Sequence, residues 1–245
     1  MRNIILSIFL TICLLPAFGA PAAPRIAETR GKDVAEDFSW RDKQGDKYSY
    51  RLLSMDGMKR TYYVKVGDFF APIEASSARS LDSLFYSDSP NIVFYTRRVD
   101  GKDTLFAPVH TVNIGGEKED VVICLAERDG SLVSNVIDIS AKNLPAGVFA
   151  VVNLSNKPFG VSINKKLLRV EPFGIAKQAF APSEEIEEIP FQFYILGKKP
   201  KMAFERYFSF ATSQNLTLYV FDVPRNDAMD KEVPFLLRYG KPPRK

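Results

Sequence analysis

Side chains that could carry nucleophilic or metal chemistry are few in this chain of 245 residues. His110 is the only histidine, and the two cysteines are Cys13 and Cys124. Zinc and iron sites require several such ligands at set spacing, and the sequence contains neither HExxH nor CxxC. The sequence therefore predicts no metal site and no cofactor.

The remaining nucleophile candidates have unfavourable contexts. Cys124 and His110 could form a dyad, because they lie on strand-like runs that look adjacent. Cys124, however, sits in the apolar run VVICLA, which is typical of a buried thiol with a raised pKa. Ser162 and Lys165 match SxxK but fall in a predicted hairpin, where positions three apart point to opposite faces of a strand. We predict that none of these residues is catalytic.

Carboxylates give one further route to catalysis. Four of them lie in or beside apolar runs and could be the buried acids of a hydrolase: Asp138, Glu171, Glu205 and Asp222. Two such groups facing one pocket would suit glycoside hydrolysis. The acidic run Glu184–Glu188 is predicted to be an exposed loop, because neighbouring like charges repel and stay solvated.

The amino terminus has the three-part layout of a cleavable secretory signal peptide. Arg2 precedes an uncharged apolar run, Ile4–Leu15, which Pro16 ends before a stretch of small residues. Cleavage is expected after Ala22, with cleavage after Gly19 as the alternative. The apolar run is shorter than the roughly 20 residues of a membrane-spanning helix. We expect a periplasmic or secreted protein with no integral membrane segment after cleavage.

Composition narrows the class of protein and its partners. The chain is 46% apolar with a net charge of +4, enough material for a packed core, and its basic and acidic residues are interspersed. No basic stripe indicates nucleic acid, so the expected partner is a protein or an envelope component. One cysteine would remain after cleavage, which excludes an intramolecular disulfide. Asn153 and Asn215 begin N-glycosylation patterns, but both flank apolar runs, which favours chance matches.

Short runs rich in β-branched and aromatic residues, separated by turn residues such as Asp-Gly, predict an all-β fold. One run, Asp120–Ala126, is apolar on both faces, as expected of a strand covered on both sides. A short helix is predicted over Ser76–Tyr86. The clearest strand runs are Tyr48–Leu53, Thr61–Val66, Ile92–Arg97, Val109–Ile114, Asp120–Ala126, Leu132–Ile139, Val148–Leu154, Phe191–Leu196, Met202–Phe210 and Leu216–Val223.

A self-comparison suggests an internal repeat. Tyr95 aligns with Tyr194 at an offset of 99 residues, and Tyr63–Glu74 aligns with Gly160–Glu171 at an offset of 97. This pattern predicts two tandem immunoglobulin-like β-sandwich domains that meet within 128–142; one continuous sandwich is the alternative. The predicted division is a signal peptide at 1–22, a flexible lead-in with Trp40 at 23–47, domains at 48–130 and 131–240, and a basic tail at 241–245.

The segment Gly147–Pro172 resembles modules of uncharacterised exported bacterial proteins with tandem β-sandwich domains. It reads as a strand ending in Asn-Leu-Ser, a turn with proline, and a hairpin closing on Val-Glu-Pro. In length, charge and predicted architecture the chain is also similar to periplasmic pilus-assembly chaperones, which act by strand addition. The chain lacks the strand motif and the arginine context that their mechanism needs.

These observations give three hypotheses for function. The first is an exported, non-enzymatic binding or structural protein of the bacterial envelope. The second is a periplasmic chaperone-like assembly factor that acts by strand addition. The third is a hydrolase that uses two of the four carboxylates.

Overall fold

The computed structural model describes residues 28–34, 39, 48–76, 81, 83–115 and 120–221, and the backbone of Phe235–Lys241. The predicted signal peptide, Trp40, Asp222 and residues 242–245 lie outside this part of the chain. The strands are β1 (Thr29–Arg30), β2 (Lys32–Asp33), β3 (Tyr48–Ser54), β4 (Arg60–Val66), β5 (Phe69–Ala75), β6 (Phe85–Ser87), β7 (Asn91–Asp100), β8 (Asp103–Asn113), β9 (Val121–Arg128), β10 (Ser131–Asp138), β11 (Val148–Asn153), β12 (Phe159–Ile163), β13 (Lys166–Val170), β14 (Ile175–Ala179), β15 (Ile186–Ile195), β16 (Lys201–Ala211), β17 (Asn215–Phe221) and β18 (Phe235–Lys241).

These strands form four sheets. Sheet A has the order β1-β8-β7-β4-β5-β2, and sheet B the order β10-β9-β3-β6. Sheet C has the order β14-β11-β17-β18, and sheet D the order β13-β12-β15-β16. The predicted all-β class is confirmed, and each of the ten strand runs named from the sequence overlaps a strand of the described residues.

The strand order of β3–β10 repeats in β11–β18. Advancing each strand number by eight converts sheet B into sheet C, and the β8-β7-β4-β5 part of sheet A into sheet D. Tyr63 pairs with Tyr95, and Gly160 pairs with Tyr194, so both sequence offsets fall on matching partners. In each half the hairpin ladder also slips by one residue immediately before that tyrosine. The predicted repeat therefore describes the hydrogen bonding of both halves.

Three clusters of buried apolar side chains hold the sheets together. One lies between sheets A and B and includes Phe94, and another lies between sheets C and D and includes Phe191. The third joins the outward faces of sheets B and C and includes Cys124 and Tyr219. Residues of β9 enter the first and third clusters alternately, which confirms that Asp120–Ala126 is covered on both faces.

The allocation of strands differs from that of immunoglobulin domains. In each half the first, fourth, seventh and eighth strands share one sheet, and the second, third, fifth and sixth share the other. Immunoglobulin constant domains place the first, second, fourth and fifth strands together. The prediction therefore holds at the coarser level of an all-β, sandwich-like fold.

Two local predictions are corrected. Phe85–Ser87 pairs with β3, so the helix predicted over Ser76–Tyr86 is wrong at its end; Ser77–Ser80 and Asp82 lie outside the described residues. Ser131–Asp138 pairs with β9 along its whole length, which carries the first half as far as Asp138. The strand at the start of the predicted second domain therefore belongs to sheet B with β9.

Part of the predicted flexible lead-in is docked on sheet A. Residues 28–34, named the arm, pair with β8 through β1 and with β5 through β2, although these strands stand far apart in the sheet order. Because only Gly31 separates β1 from β2, sheet A must curl until β5 and β8 approach each other. Phe70 of β5 and Phe106 of β8 accordingly stack with ring centroids 3.9 Å apart.

Candidate functional site

The structure separates the predicted thiol and imidazole candidates. His110 lies on β8 of sheet A, and its Nε2 is 2.8 Å from Oγ of Ser134 on β10. Cys124 is fully buried in the cluster between sheets B and C, where burial raises the pKa of its thiol above its ordinary value. The two residues therefore belong to different sheets and do not form a dyad.

Ser162 and Lys165 have an arrangement that the sequence analysis did not predict. Asn164 and Lys165 form the two-residue turn between β12 and β13, with φ angles of 48° and 67°. Strand alternation ends at Ile163, so Lys165 is not held on the face opposite Ser162. Both residues line one groove on the outer face of sheet D.

The candidate acids are not brought together. Asp138 caps a turn in the first half, where its Oδ1 accepts a hydrogen bond from the Ser140 amide at 2.9 Å. In the second half Glu205 lines the groove, and Glu171 forms an ion pair with Arg169. Of the described candidates, one carboxylate therefore faces the groove, which does not meet the requirement of a paired-carboxylate hydrolase.

The acidic run is exposed as predicted, but it is not a loop throughout. All residues of Glu184–Glu188 are exposed, and Ile186, Glu187 and Glu188 begin β15. Ile186 itself is 73% exposed. The alternation of burial along β15 therefore begins only at Ile189, which is buried.

Across sheet D the outward-facing positions of four strands form the groove, whose volume is about 750 Å³. Its side chains are mainly apolar or aromatic, with a few polar groups, which is typical of binding clefts. Leu167 and Tyr207 are 70% and 64% exposed. The lining residues are Gly160, Ser162, Lys165, Leu167, Leu168, Arg169, Pro190, Gln192, Tyr194, Leu196, Pro200, Glu205 and Tyr207.

A chain of hydrogen bonds orders the polar side of the groove. Tyr194 Oη donates to Gln192 Oε1 at 2.6 Å, and Gln192 Nε2 donates to Glu205 Oε1 at 2.9 Å. These residues lie on the neighbouring strands β15 and β16, where Gln192 pairs directly with Glu205. The network holds the Tyr194 side chain beside Gly160, where an added Cβ would lie 3.3 Å from Cβ of Tyr194 and 3.4 Å from Cδ2 of Leu196.

The corresponding face of sheet A is closed. Tyr63, Phe70, Tyr95 and Phe106 pack against one another there, and the arm runs across Phe70 and Phe106. Strand pairing, counted from the register shift in each hairpin, assigns each of these residues a counterpart in the second half. Gly160 corresponds to Tyr63, Leu167 to Phe70, Tyr194 to Tyr95 and Pro200 to Phe106.

All four counterparts line the groove. Sheet D therefore presents openly, and with smaller side chains, the surface that sheet A covers with its own chain. The sequence repeat already indicates this difference between the two faces, because it aligns Tyr63 with Gly160.

Asn153 has a structural role in spite of its glycosylation pattern. It is fully buried, and its Nδ2 donates to the carbonyls of Lys157 and Glu171 at 2.8 and 3.0 Å. Its Oδ1 accepts hydrogen bonds from the amide and the hydroxyl of Ser155. At the equivalent place of the first half, Ser54 donates to Asp56 at 2.7 Å. The Asn-Leu-Ser motif therefore ties the loop after β11 to the end of β13.

Comparison with known proteins adds no family assignment: no protein-family model matches the chain, and no curated protein matches it significantly. Within the described residues, no three histidine, cysteine, aspartate or glutamate side chains cluster as metal ligands. The same part of the chain has no helix long and apolar enough to cross a membrane.

Proposed function

We propose that this is an exported, non-enzymatic binding protein of the bacterial envelope, and that the groove on sheet D is its recognition surface. The observation that supports the proposal is the contrast between the halves. The face covered by the arm on sheet A is open on sheet D, where Leu167 and Tyr207 are exposed. Two tandem sandwich domains, each a pair of sheets, would carry one closed and one open copy of this surface.

Binding is favoured over catalysis by the placement of the reactive groups. His110 and Cys124 lie in different sheets, and among the candidate acids that the structure describes Glu205 alone lines the groove. Exposed apolar side chains surrounded by polar ones are characteristic of surfaces that recognise another macromolecule. The export and the envelope location come from the amino-terminal sequence pattern.

The second candidate function, an assembly factor that acts by strand addition, is favoured by one observation. In the described residues β13 is an edge of sheet D, and its outward-facing Leu167 is exposed. A client strand could therefore pair with this edge while its side chains enter the groove.

Site-specific photo-crosslinking in the native envelope tests the proposed function. A photoreactive residue at Tyr207 should give a discrete adduct, whereas the same residue at Val99, exposed on the β7–β8 hairpin of the first half, should give none. A second substitution, Leu167→Asp, should abolish the Tyr207 adduct. Equal adducts at both positions, or an adduct that Leu167→Asp leaves unchanged, would contradict a role for the groove.

A further inference from the structure

The arm shows how sheet A accepts an extended segment. Val34 donates its amide to the carbonyl of Phe70 at 3.2 Å, so β2 adds as a parallel strand to the edge of β5. A Cβ on Gly31 would lie 2.5 Å from ring atoms of Phe70, so the arm backbone rests directly on this ring. A docked segment therefore pairs with the edge and crosses the aromatic floor.

On sheet D the edge of β13 is open at the matching position. Ile163 and Lys166 flank the two-residue turn, as Val66 and Phe69 do in the first half, so Leu167 holds the register of Phe70. Hydrogen-bonded and non-bonded pairs alternate along an antiparallel ladder, which directs the carbonyl of Leu167 away from β12. Among the described strands, none pairs with β13 on that side.

The groove leaves room for a side chain at the crossing position, where the arm has Gly31. In sheet A the space above the strands holds Phe70 and Phe106, and the crossing residue is Gly31. Leu167 and Pro200 stand in place of these rings, and Gly160 stands in place of Tyr63. An apolar side chain at the crossing position of a bound segment would therefore enter the groove.

The covered face of sheet A and the groove on sheet D also differ in charge. The arm is mixed in charge: Glu28 and Asp33 bind Arg98 and Arg97, and Arg30 binds Asp103. The β15–β16 turn that corresponds to this region reads Leu-Gly-Lys-Lys-Pro-Lys and has no carboxylate to receive a basic residue.

Exposed lysines lie at both ends of the groove on sheet D, and at the end near the β12–β13 turn they lie beside the acidic start of β15. Lys165 and Lys166 lie at one end, and Lys198, Lys199 and Lys201 lie at the other. All five are exposed, and none forms an ion pair with a described residue.

We propose that the groove binds an extended acidic peptide, in which one apolar residue is flanked by carboxylates, as a parallel strand on the edge of β13. The apolar side chain occupies the groove beside Leu167 and Pro200, and the carboxylates meet the exposed lysines. This inference rests on the proposed function and names the chemistry of its partner.

A panel of labelled peptides tests the inference by fluorescence anisotropy with the purified protein. The first peptide, Glu-Thr-Asp-Leu-Glu-Asp-Val, is the arm sequence with both basic residues made acidic and leucine at the crossing position. The second has glycine in place of leucine, and the third, Lys-Thr-Arg-Leu-Lys-Lys-Val, reverses the charge. The fourth is the native arm sequence, Glu-Thr-Arg-Gly-Lys-Asp-Val.

The first peptide should bind most tightly. Loss of the buried leucine should weaken binding about tenfold or more. The charge-reversed peptide should bind at least as weakly, and the affinity of the first peptide should fall with salt. The double variant Lys198→Glu/Lys199→Glu should weaken binding about tenfold, whereas Lys102→Glu in the corresponding turn of the first half should not.

Two results would overturn the inference. Equal binding of the acidic and charge-reversed peptides would show that charge does not select the segment. Tightest binding of the native arm sequence, together with self-association in sedimentation equilibrium, would assign the groove to a second copy of this chain. Either result leaves the groove a binding surface, so the photo-crosslinking outcome distinguishes failure of the inference from failure of the proposed function.

Discussion

Phe70 and Leu167 hold the same register position in the two halves, yet Phe70 is 2% exposed and Leu167 is 70% exposed. The difference follows from the arm, which lies over Phe70 and has no counterpart over Leu167 among the described residues. One surface is thus an internal contact, and its repeat is available to a partner.

Truncation of these two residues should have very unequal consequences for stability. Phe70→Ala removes a ring that stacks on Phe106 and supports the arm, so the free energy of unfolding should fall by roughly 3–5 kcal/mol. Leu167→Ala should change it by less than about 0.5 kcal/mol, because an exposed side chain contributes little burial. Chemical denaturation of both variants measures the contrast, and equal losses would contradict the difference in burial between the two positions.

Substitution at Gly31 should release the arm. In Gly31→Val the new side chain would overlap the rings of Phe70 and Phe106, so the arm should lift from sheet A. Limited proteolysis should then cleave after Arg30 and Lys32 several-fold faster than in the wild type. Thr29→Val, an exposed change in the same arm, is the control and should leave the cleavage rate unchanged.

Much of the fold was predictable because strand signals are local. Alternation and turn residues located the strands, and the offsets of Tyr95 and Tyr63 predicted a repeat that the ladders reproduce. The allocation of strands to sheets was not predictable, since it depends on which apolar faces meet. Glu28–Val34 looked flexible because its pairing partners, β8 and β5, are distant in sequence.

The groove was harder to infer than the fold. Its residues come from four strands, and Leu167, Tyr194 and Glu205 are distant in sequence. His110 and Cys124 have reactive side chains, but both lie outside the groove and have structural roles. The sequence does show that Gly160 takes the place of Tyr63. This difference indicates an open surface only once the structure shows that the first half is covered.

Asn153→Ala should destabilise the protein through unmade hydrogen bonds. The substitution would leave the buried carbonyls of Lys157 and Glu171 without their donor, at a cost of roughly 2–4 kcal/mol in the free energy of unfolding. Asn113→Ala, which removes exposed hydrogen bonds to Asn91 and from the Gly115 amide, is the matched control and should cost less than about 1 kcal/mol. Similar losses in equilibrium denaturation would argue against a structural role for Asn153.

His110 should make stability depend on pH in a defined direction. Burial lowers the pKa of His110 in the folded chain, so the unfolded chain binds the proton more tightly. Its contribution to stability should be complete above the ordinary histidine pKa of about 6.5 and should fall as the pH drops below it. Because His110 is the only histidine, His110→Gln should remove this part of the slope in denaturation series between about pH 7.5 and 5.5. An unchanged slope would contradict the assignment.

The most direct test of the open groove is hydrogen exchange at β13, with and without the acidic leucine peptide. If the peptide adds as a strand to this edge, amide exchange across Lys166–Val170 should slow in the complex, while exchange across β5 stays unchanged because the arm already covers it. Slowed exchange confined to another surface, or no change at β13 when the protein is saturated with peptide, would contradict the account.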